Sequence, residues 1–339
     1  MTIDQLGEFG LIDRIRRALP VPGPEVLVGI GDDVAVLRAR ADSVWLATCD
    51  VQVEGAHFLR EAISPRDLGC KALAINLSDI ASTGGTPRFA LISLGLPKDL
   101  AVEFIDGLYE GLRAEAEKFG VDIVGGNISR SRLGLFVDIF LLGEAHAESI
   151  LLRSGAQVGD RLLVTGSLGD AAAGVALLLD DSLATTEAYA AVARTRRDTP
   201  TPRVREGQGI SASRQATAMI DISDGLAGDL GHLCECSGVG ARVLVEKLPV
   251  AEANRDLARA YRGTDWHFAL HGGEDYELLF TASSSKAGDL AAHITQETGT
   301  PVSIIGEILP PGEGMQLVLP DHSSVPLEAR GWDHFREGS

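Results

Sequence analysis

Residues 65 to 82, opened by Ser64-Pro65, carry the pattern that most restricts the fold. Proline at the first helical position and a stripe of Leu73, Leu77 and Ile80 predict a helix across the whole stretch. In Ala72-Leu-Ala-Ile-Asn-Leu-Ser-Asp-Ile-Ala81 nearly every neighbour of Asp79 is apolar, so this helix is mostly buried. Asn76, Asp79 and Thr83 form a second stripe, because i, i+3 and i+7 share a helix face. A solvated polar face is the ordinary reading of such a stripe. A buried aspartate needs a partner, however, and no lysine or arginine stands within a helical turn of Asp79. A metal ion would satisfy it.

A length of 339 residues with 45% apolar content suits two domains, each with its own core. With 30 basic and 48 acidic residues the formal charge is −18, which disfavours nucleic acid as a partner. The N-terminus lacks a basic start and an apolar run, and the longest apolar stretch, Ala171 to Leu179, is too short to span a bilayer. Cys49, Cys70, Cys234 and Cys236 show no CxxC spacing and read as reduced thiols. The expectation is a cytoplasmic protein with no membrane contact.

Acids recur where apolar segments end. Strands over Val34 to Arg38 and Val44 to Cys49 lead to Asp50, after Gly31-Asp-Asp33. Val121-Asp-Ile-Val-Gly-Gly-Asn127 again sets an oxygen beside open backbone, an arrangement that suits a phosphate, a cation or only a tight turn. Leu133 to Glu144 predicts a long strand, and residues 145 to 160 a domain junction, giving an N-terminal domain over 1–148 and a C-terminal domain over 149–339. The fold class expected is α/β (α+β). Gly166-Ser-Leu-Gly-Asp170 superficially suggests a phosphate loop, but it lacks Gly-Lys-Ser/Thr and its acid would repel an anion; a capped helix reaching Leu179 fits better. Residues 181 to 197 and 251 to 262 predict further helices.

In Ala218-Met-Ile-Asp-Ile-Ser-Asp-Gly-Leu-Ala-Gly-Asp229 a strand or turn runs into a helix. Ser223 or Asp224 can cap the first turn, and Asp221 with Asp224 can equally form half of a hard-cation site. His271-Gly-Gly-Glu-Asp-Tyr-Glu277 is a glycine-hinged acidic loop feeding a strand. No Ser-His-Asp order, HExxH, kinase loop or Walker motif is present. What remains is Asp33, Asp50, Asp79, Asp221 and Asp224 with Asn127, an all-oxygen set that selects Mg²⁺ over zinc and implies a phosphorylated substrate.

Gly29-Ile-Gly-Asp-Asp33, Asp50 with Glu54-Gly-Ala-His57, Lys71-Ala-Leu-Ala-Ile-Asn-Leu-Ser-Asp79, Ile220-Asp-Ile-Ser-Asp-Gly-Leu226 and Gly272-Gly-Glu-Asp-Tyr-Glu277 occur in an order that resembles thiamine-monophosphate kinase. The resemblance runs from about Glu8 to Phe335. It implies the two-domain fold of the aminoimidazole-ribonucleotide synthetase-like superfamily, with an N-terminal mixed sheet and helices, a C-terminal α/β domain and a homodimer formed by the N-terminal domains. It implies ATP-dependent phosphorylation of thiamine monophosphate to thiamine diphosphate, with several Mg²⁺ ions and with K⁺ as a candidate monovalent ion.

Carried over by that resemblance, metal positions fall on Asp33, Thr48, Cys49, Asp50, Asp79, Asn127, Asp221 and Asp224. Nucleotide positions fall on Gly126, Asn127, Arg153 and Ser223, with Tyr109 near the adenine; acceptor contacts fall on His57, Glu274 and Trp332. Asp50, Asp79, Asp221 and Arg153 are the expected catalytic set. Asn127 stands where the family has Asp, and Cys49 where it has a hydroxyl residue, so only the Cys49 carbonyl suits Mg²⁺. The acceptor phosphate is largely deprotonated near neutral pH and needs no general base. Other readings are another ATP-using member of the superfamily, such as a hydrogenase-maturation protein or selenophosphate synthetase, or a non-catalytic dimer binding nucleotide or thiamine phosphate. The first uses a C-terminal cysteine and the second an N-terminal cysteine or selenocysteine, and both fit poorly with a sequence that ends Phe-Arg-Glu-Gly-Ser and whose first cysteine is Cys49.

Overall fold

The computed structural model describes residues 8–18, 23–40, 42–329 and 331. Helix α1 (Glu8–Ala18) precedes a six-stranded sheet made of β1 (Val26–Val28), β2 (Ala35–Arg40), β3 (Ser43–Val53), β4 (Thr86–Leu96), β5 (Asp122–Arg130) and β6 (Phe136–His146). Its spatial order is β1-β2-β3-β6-β4-β5. Every neighbouring pair is antiparallel except β4 and β5. Helix α2 (Pro65–Ser82) lies between β3 and β4 in sequence, and α3 (Val102–Phe119) makes the crossover that the parallel pair requires. Gly69 and Gly111 let these two helices touch: a Cβ on Gly69 would stand 2.1 Å from the Leu108 carbonyl oxygen, and one on Gly111 1.8 Å from that of Arg66.

The chain then builds a second sheet from β7 (Arg161–Thr165), β8 (Ala216–Asp221), β9 (Gly240–Leu244), β10 (Leu278–Ala282), β11 (Val302–Leu309), β12 (Met315–Val318) and β13 (Ser324–Pro326). Its order is β13-β12-β9-β11-β7-β10-β8, with only β12 and β9 parallel. Between these strands run α4 (Asp170–Leu179), α5 (Glu187–Asp198), α6 (Val204–Ser213), α7 (Leu226–Ser237), α8 (Glu252–Arg262), α9 (His267–His271) and α10 (Ala287–Thr298). Strand alternation divides the second sheet between two cores. Leu162, Val164 and Ile220 face α7 through Leu226, Leu230 and Leu233, whereas Leu163, Met219, Leu278 and Phe280 join the core of the first sheet.

Helix α2 is the wall shared by both sheets. Ser64 caps it, accepting the Asp67 N–H at 3.1 Å, and Pro65 occupies its first turn. Fourteen of its 18 residues are buried, so its polar side chains also face protein. Leu73, Leu77 and Ile80 pack in one core with Ile92, Val137 and Ile139 of the first sheet and Met219 and Phe280 of the second. The sequence reading of a mostly buried helix holds. Elsewhere the elements shift: the strand predicted from Leu133 begins at Phe136, and the helix predicted from residue 181 begins at Glu187, where Thr186 accepts the Tyr189 N–H. No described helix is long and apolar enough to cross a membrane.

Candidate active site

Three carboxylates converge where α2 meets both sheets. Asp33 stands in the loop before β2, Asp79 near the C-terminal end of α2, and Asp221 at the last position of β8. One ligand oxygen from each lies within 4.8 Å of the others. Neighbouring donors fix two of them: Ser78 Oγ donates to Asp221 Oδ2 at 2.6 Å, and Thr48 Oγ1 donates to Asp79 Oδ2. Asp50 shares the inner face of β3 with Thr48, and its N–H donates to Asn76 Oδ1 at 3.0 Å. Asn76 and Asp79 of the polar stripe therefore face the site, with Ser78 beside them anchoring Asp221, whereas the Thr83 hydroxyl donates to the Ile80 carbonyl at 2.9 Å.

Arg153 is the basic group in this cluster. Its Nε donates to Asp33 Oδ1 at 2.7 Å, its Nη2 reaches the same oxygen, and its backbone N–H donates to Asp32 Oδ2 at 3.2 Å. Burial works against the guanidinium charge, but Asp33, together with Asp32 and Asp221, outweighs it and the pKa is pushed up. One cation does not balance the acids. Burial, then the proximity of Asp33, pushes Asp221 up to about 8, and burial with Asp50, Asp221 and Asp33 raises Asp79 well above the usual carboxylate range. Asp32, buried beside Asp33, is pushed up to about 6. The Asp33 carboxylate is 1% exposed, and its Oδ2 is buried with no hydrogen-bond partner. Converging hard oxygens, carboxylates that repel one another and an orphaned oxygen fit a bound divalent cation such as Mg²⁺.

A second group lies further along α2. Lys71 Nζ pairs with Glu274 Oε1 at 2.5 Å, with the lysine 2% exposed and the glutamate 24%. Both line a cavity of about 150 Å³, together with His57, Phe58, Leu178 and Asp198. His57 Nδ1 accepts the Val53 N–H at 3.0 Å, which sets the ring against the cavity wall. Glu274 has a φ of 69°, unusual for a non-glycine residue, and its N–H donates to the Ser223 carbonyl at 2.7 Å. The acidic loop is thereby stitched to the segment carrying Asp221.

Several expected positions lie elsewhere or do other work. Neither Ser223 nor Asp224 caps α7, whose N-cap is Gly225 without a side-chain bond. Asp229, one turn inside the helix, accepts the N–H groups of Asp224 and Gly225 at 3.1 Å each, and burial with Asp224 and Asp221 nearby raises its pKa. Asp170 is likewise no cap; it accepts Ser167 Oγ, Tyr189 OH and Asn254 Nδ2. The Cys49 thiol points to the opposite face of β3 from Thr48, against Asp138 Oδ1 at 3.2 Å, so its side chain is outside the acid cluster. Asn127 is exposed on the edge strand β5 in register with Ser93, and its amide donates to Ser129 Oγ at 3.3 Å. Gly126 precedes it, where a Cβ would stand 1.8 Å from the Ile92 carbonyl oxygen, and Tyr109 packs on α3 beside Ile123. Neither the Asn127 amide nor the Tyr109 hydroxyl bonds an acid of the cluster. Trp332 lies outside the described residues.

Comparison with known proteins matches both halves. The N-terminal domain of AIR synthase related proteins matches residues 31–145, and the C-terminal domain matches residues 157–317. The thiamine-monophosphate kinase of Aquifex aeolicus is 39% identical over 338 residues, covering 99% of this chain and 100% of that protein. The chain belongs to the thiamine-monophosphate kinase family. The thiamine-monophosphate kinase of Salmonella typhimurium is 38% identical over 97% of this chain and 98% of its own length. A solved structure of AaThiL complexed with AMPPCP and TMP superimposes with a TM-score of 0.84 at 36% identity, covering 98% of this chain and 99% of that one. Membership thus extends over both sheets, and the family's two-domain α/β fold is the one observed.

Proposed function

We propose that this chain transfers the γ-phosphoryl group of ATP to thiamine monophosphate, giving thiamine diphosphate, at the acid cluster of Asp33, Asp79 and Asp221. The observation that carries the placement is the unbalanced charge there: buried carboxylates from three separated segments, one arginine and an oxygen with no partner. Those three acids, with Asp50, would hold Mg²⁺. When bound, the ions supply charge neutralisation between two phosphate groups that otherwise repel one another.

The chain's own groups position and orient. Ser78 and Thr48 fix which oxygens of Asp221 and Asp79 face the cluster, and Asn76 fixes the backbone at Asp50. Arg153, oriented by Asp33, keeps a permanent positive charge at the same place, where charge on the transferring group is stabilised by field rather than by covalent chemistry. The acceptor phosphate is itself the nucleophile, so no side chain has to remove a proton. The His57 and Glu274 cavity takes the rest of the acceptor, which places the two ends of the substrate along α2. Gly126, Ser223 and Tyr109 remain the nucleotide side of this reading.

A homodimer belongs to the same proposal. The outer face of the first sheet carries Val51, Val53, Leu91 and Phe140 exposed on three neighbouring strands, with Asp138 among them, and exposed apolar side chains grouped on one face are of the kind that partners cover. Incubation with ATP, Mg²⁺ and thiamine monophosphate should yield thiamine diphosphate on chromatography. Absence of product with both ligands still bound would leave a binding protein in place of a kinase.

A further inference from the structure

Two cross-links tie α2 to the second half of the chain. Ser78 bonds Asp221 at the end of β8, and Lys71 pairs with Glu274 in the loop before β10. Positions 71 and 78 are i and i+7, hence on one helix face and about 10 Å apart along the axis. The segments that carry the two receiving carboxylates are also joined to each other by their backbones. Ile222 N–H donates to the Glu277 carbonyl, and the N–H groups of Glu274 and Tyr276 donate to Ser223 and Ile222. Glu274 and Tyr276 both hold positive φ, at 69° and 49°, so this loop is bent to a shape that few non-glycine residues adopt. One end of the double link is the acid cluster, and the other opens on the cavity with His57, Phe58 and Leu178.

Burying a lysine until it is only 2% exposed, in an apolar helix, is costly unless its partner is well placed. The partner here is more exposed than the lysine, so the pair presents a carboxylate to the cavity and keeps the ammonium behind it. A carboxylate at that mouth repels a phosphate and accepts N–H donors. Thiamine monophosphate has a phosphomonoester at one end and an aminopyrimidine, with its N–H donors, at the other. We infer that Lys71 is a positioning residue for the acceptor: its ammonium holds the Glu274 carboxylate at the cavity mouth, so that the aminopyrimidine end docks there while the phosphate lies toward Asp79 and Asp221. The inference rests on the reading above that the acceptor occupies this cavity.

The test is a double-mutant cycle of Lys71→Met and Glu274→Gln, with KM for each substrate, kcat and Tm measured on the full chain. Glu274→Gln and Lys71→Met should each raise KM for thiamine monophosphate on the order of tenfold or more, with KM for ATP moved by less than about twofold. Because Lys71 acts through Glu274, adding Lys71→Met to Glu274→Gln should leave that KM where Glu274→Gln put it. The double variant carries no buried charge at the pair, so it keeps the comparison available should Lys71→Met alone fail to fold. Full additivity, or a fall in Tm and kcat with KM for the acceptor unmoved, overturns the role of Lys71 and leaves a structural ion pair. If Glu274→Gln itself leaves that KM unchanged, the acceptor is not in this cavity and the inference falls with that reading.

Discussion

Two buried clusters of charge meet the same acidic loop, and they are built differently. In one, Arg203 forks onto Glu277 with Nε and Nη2 at 2.6 and 2.5 Å, Thr165 Oγ1 donates to Glu277 at 2.7 Å, and Thr300 links Arg203 to Glu206. The three residues Arg203, Glu277 and Glu206 are all buried, yet their polar atoms are bonded to one another. In the other, Asp33, Asp79 and Asp221 face one arginine, two of the acids are pushed toward their protonated forms, and one oxygen has no partner. Buried charge that satisfies itself braces a fold. Buried charge left over reserves a place for something that arrives later.

That difference can be broken by substitution. Asp79→Asn and Asp221→Asn should each cut turnover by orders of magnitude, because losing a metal-holding acid removes several kcal/mol of charge stabilisation, while the metal-free Tm should not fall. Wild-type turnover would return these acids to an ordinary structural role. Arg203→Met should do the reverse, costing roughly 3–5 kcal/mol by stranding Glu277 and lowering Tm by several degrees, with KM for ATP near wild type. An unchanged Tm would mean that the Arg203 network carries no net stability. The smallest effect is expected at Asn127, which the fold places on the outer face of the first sheet, away from the acids. Asn127→Asp should leave the Mg²⁺ needed for half-maximal rate within about twofold of wild type; a clear fall in that requirement would bring the residue to the metal after all.

The sequence exposed part of this contrast and hid part. Asp79 was legible because its neighbours are apolar and no basic residue is within reach along the helix. The strand-to-helix junction at Asp221 was legible as a junction, but its cap was not: Asp229 looks like any first-turn acid, and only the fold shows it reaching back to Asp224 and Gly225. Arg203 and Glu277 are 74 residues apart, and Lys71 and Glu274 are more widely separated still, so nothing local distinguishes the balanced glutamate from the one at the cavity. Asn127 follows a glycine pair that suits an anion site, yet register with Ser93 decides which face its side chain takes. A one-residue step reverses that choice.

The charge excess around Asp221 should act as a cation site. A group whose pKa is raised on folding adds stability below its unfolded value, and that contribution is lost as pH climbs through the folded one. For Asp221 the window runs from the usual 3.8 to about 8, so the metal-free protein should lose stability from this group across it. Mg²⁺ replaces the lost proton, and binding should release protons. The direct measurement is Tm against Mg²⁺ at pH 6 and pH 8, for wild type and Asp221→Asn. The expected result is a rise in Tm that is larger at pH 8 in wild type and small at both values in the variant. Equal stabilisation of the two proteins, or of wild type at the two pH values, would contradict it.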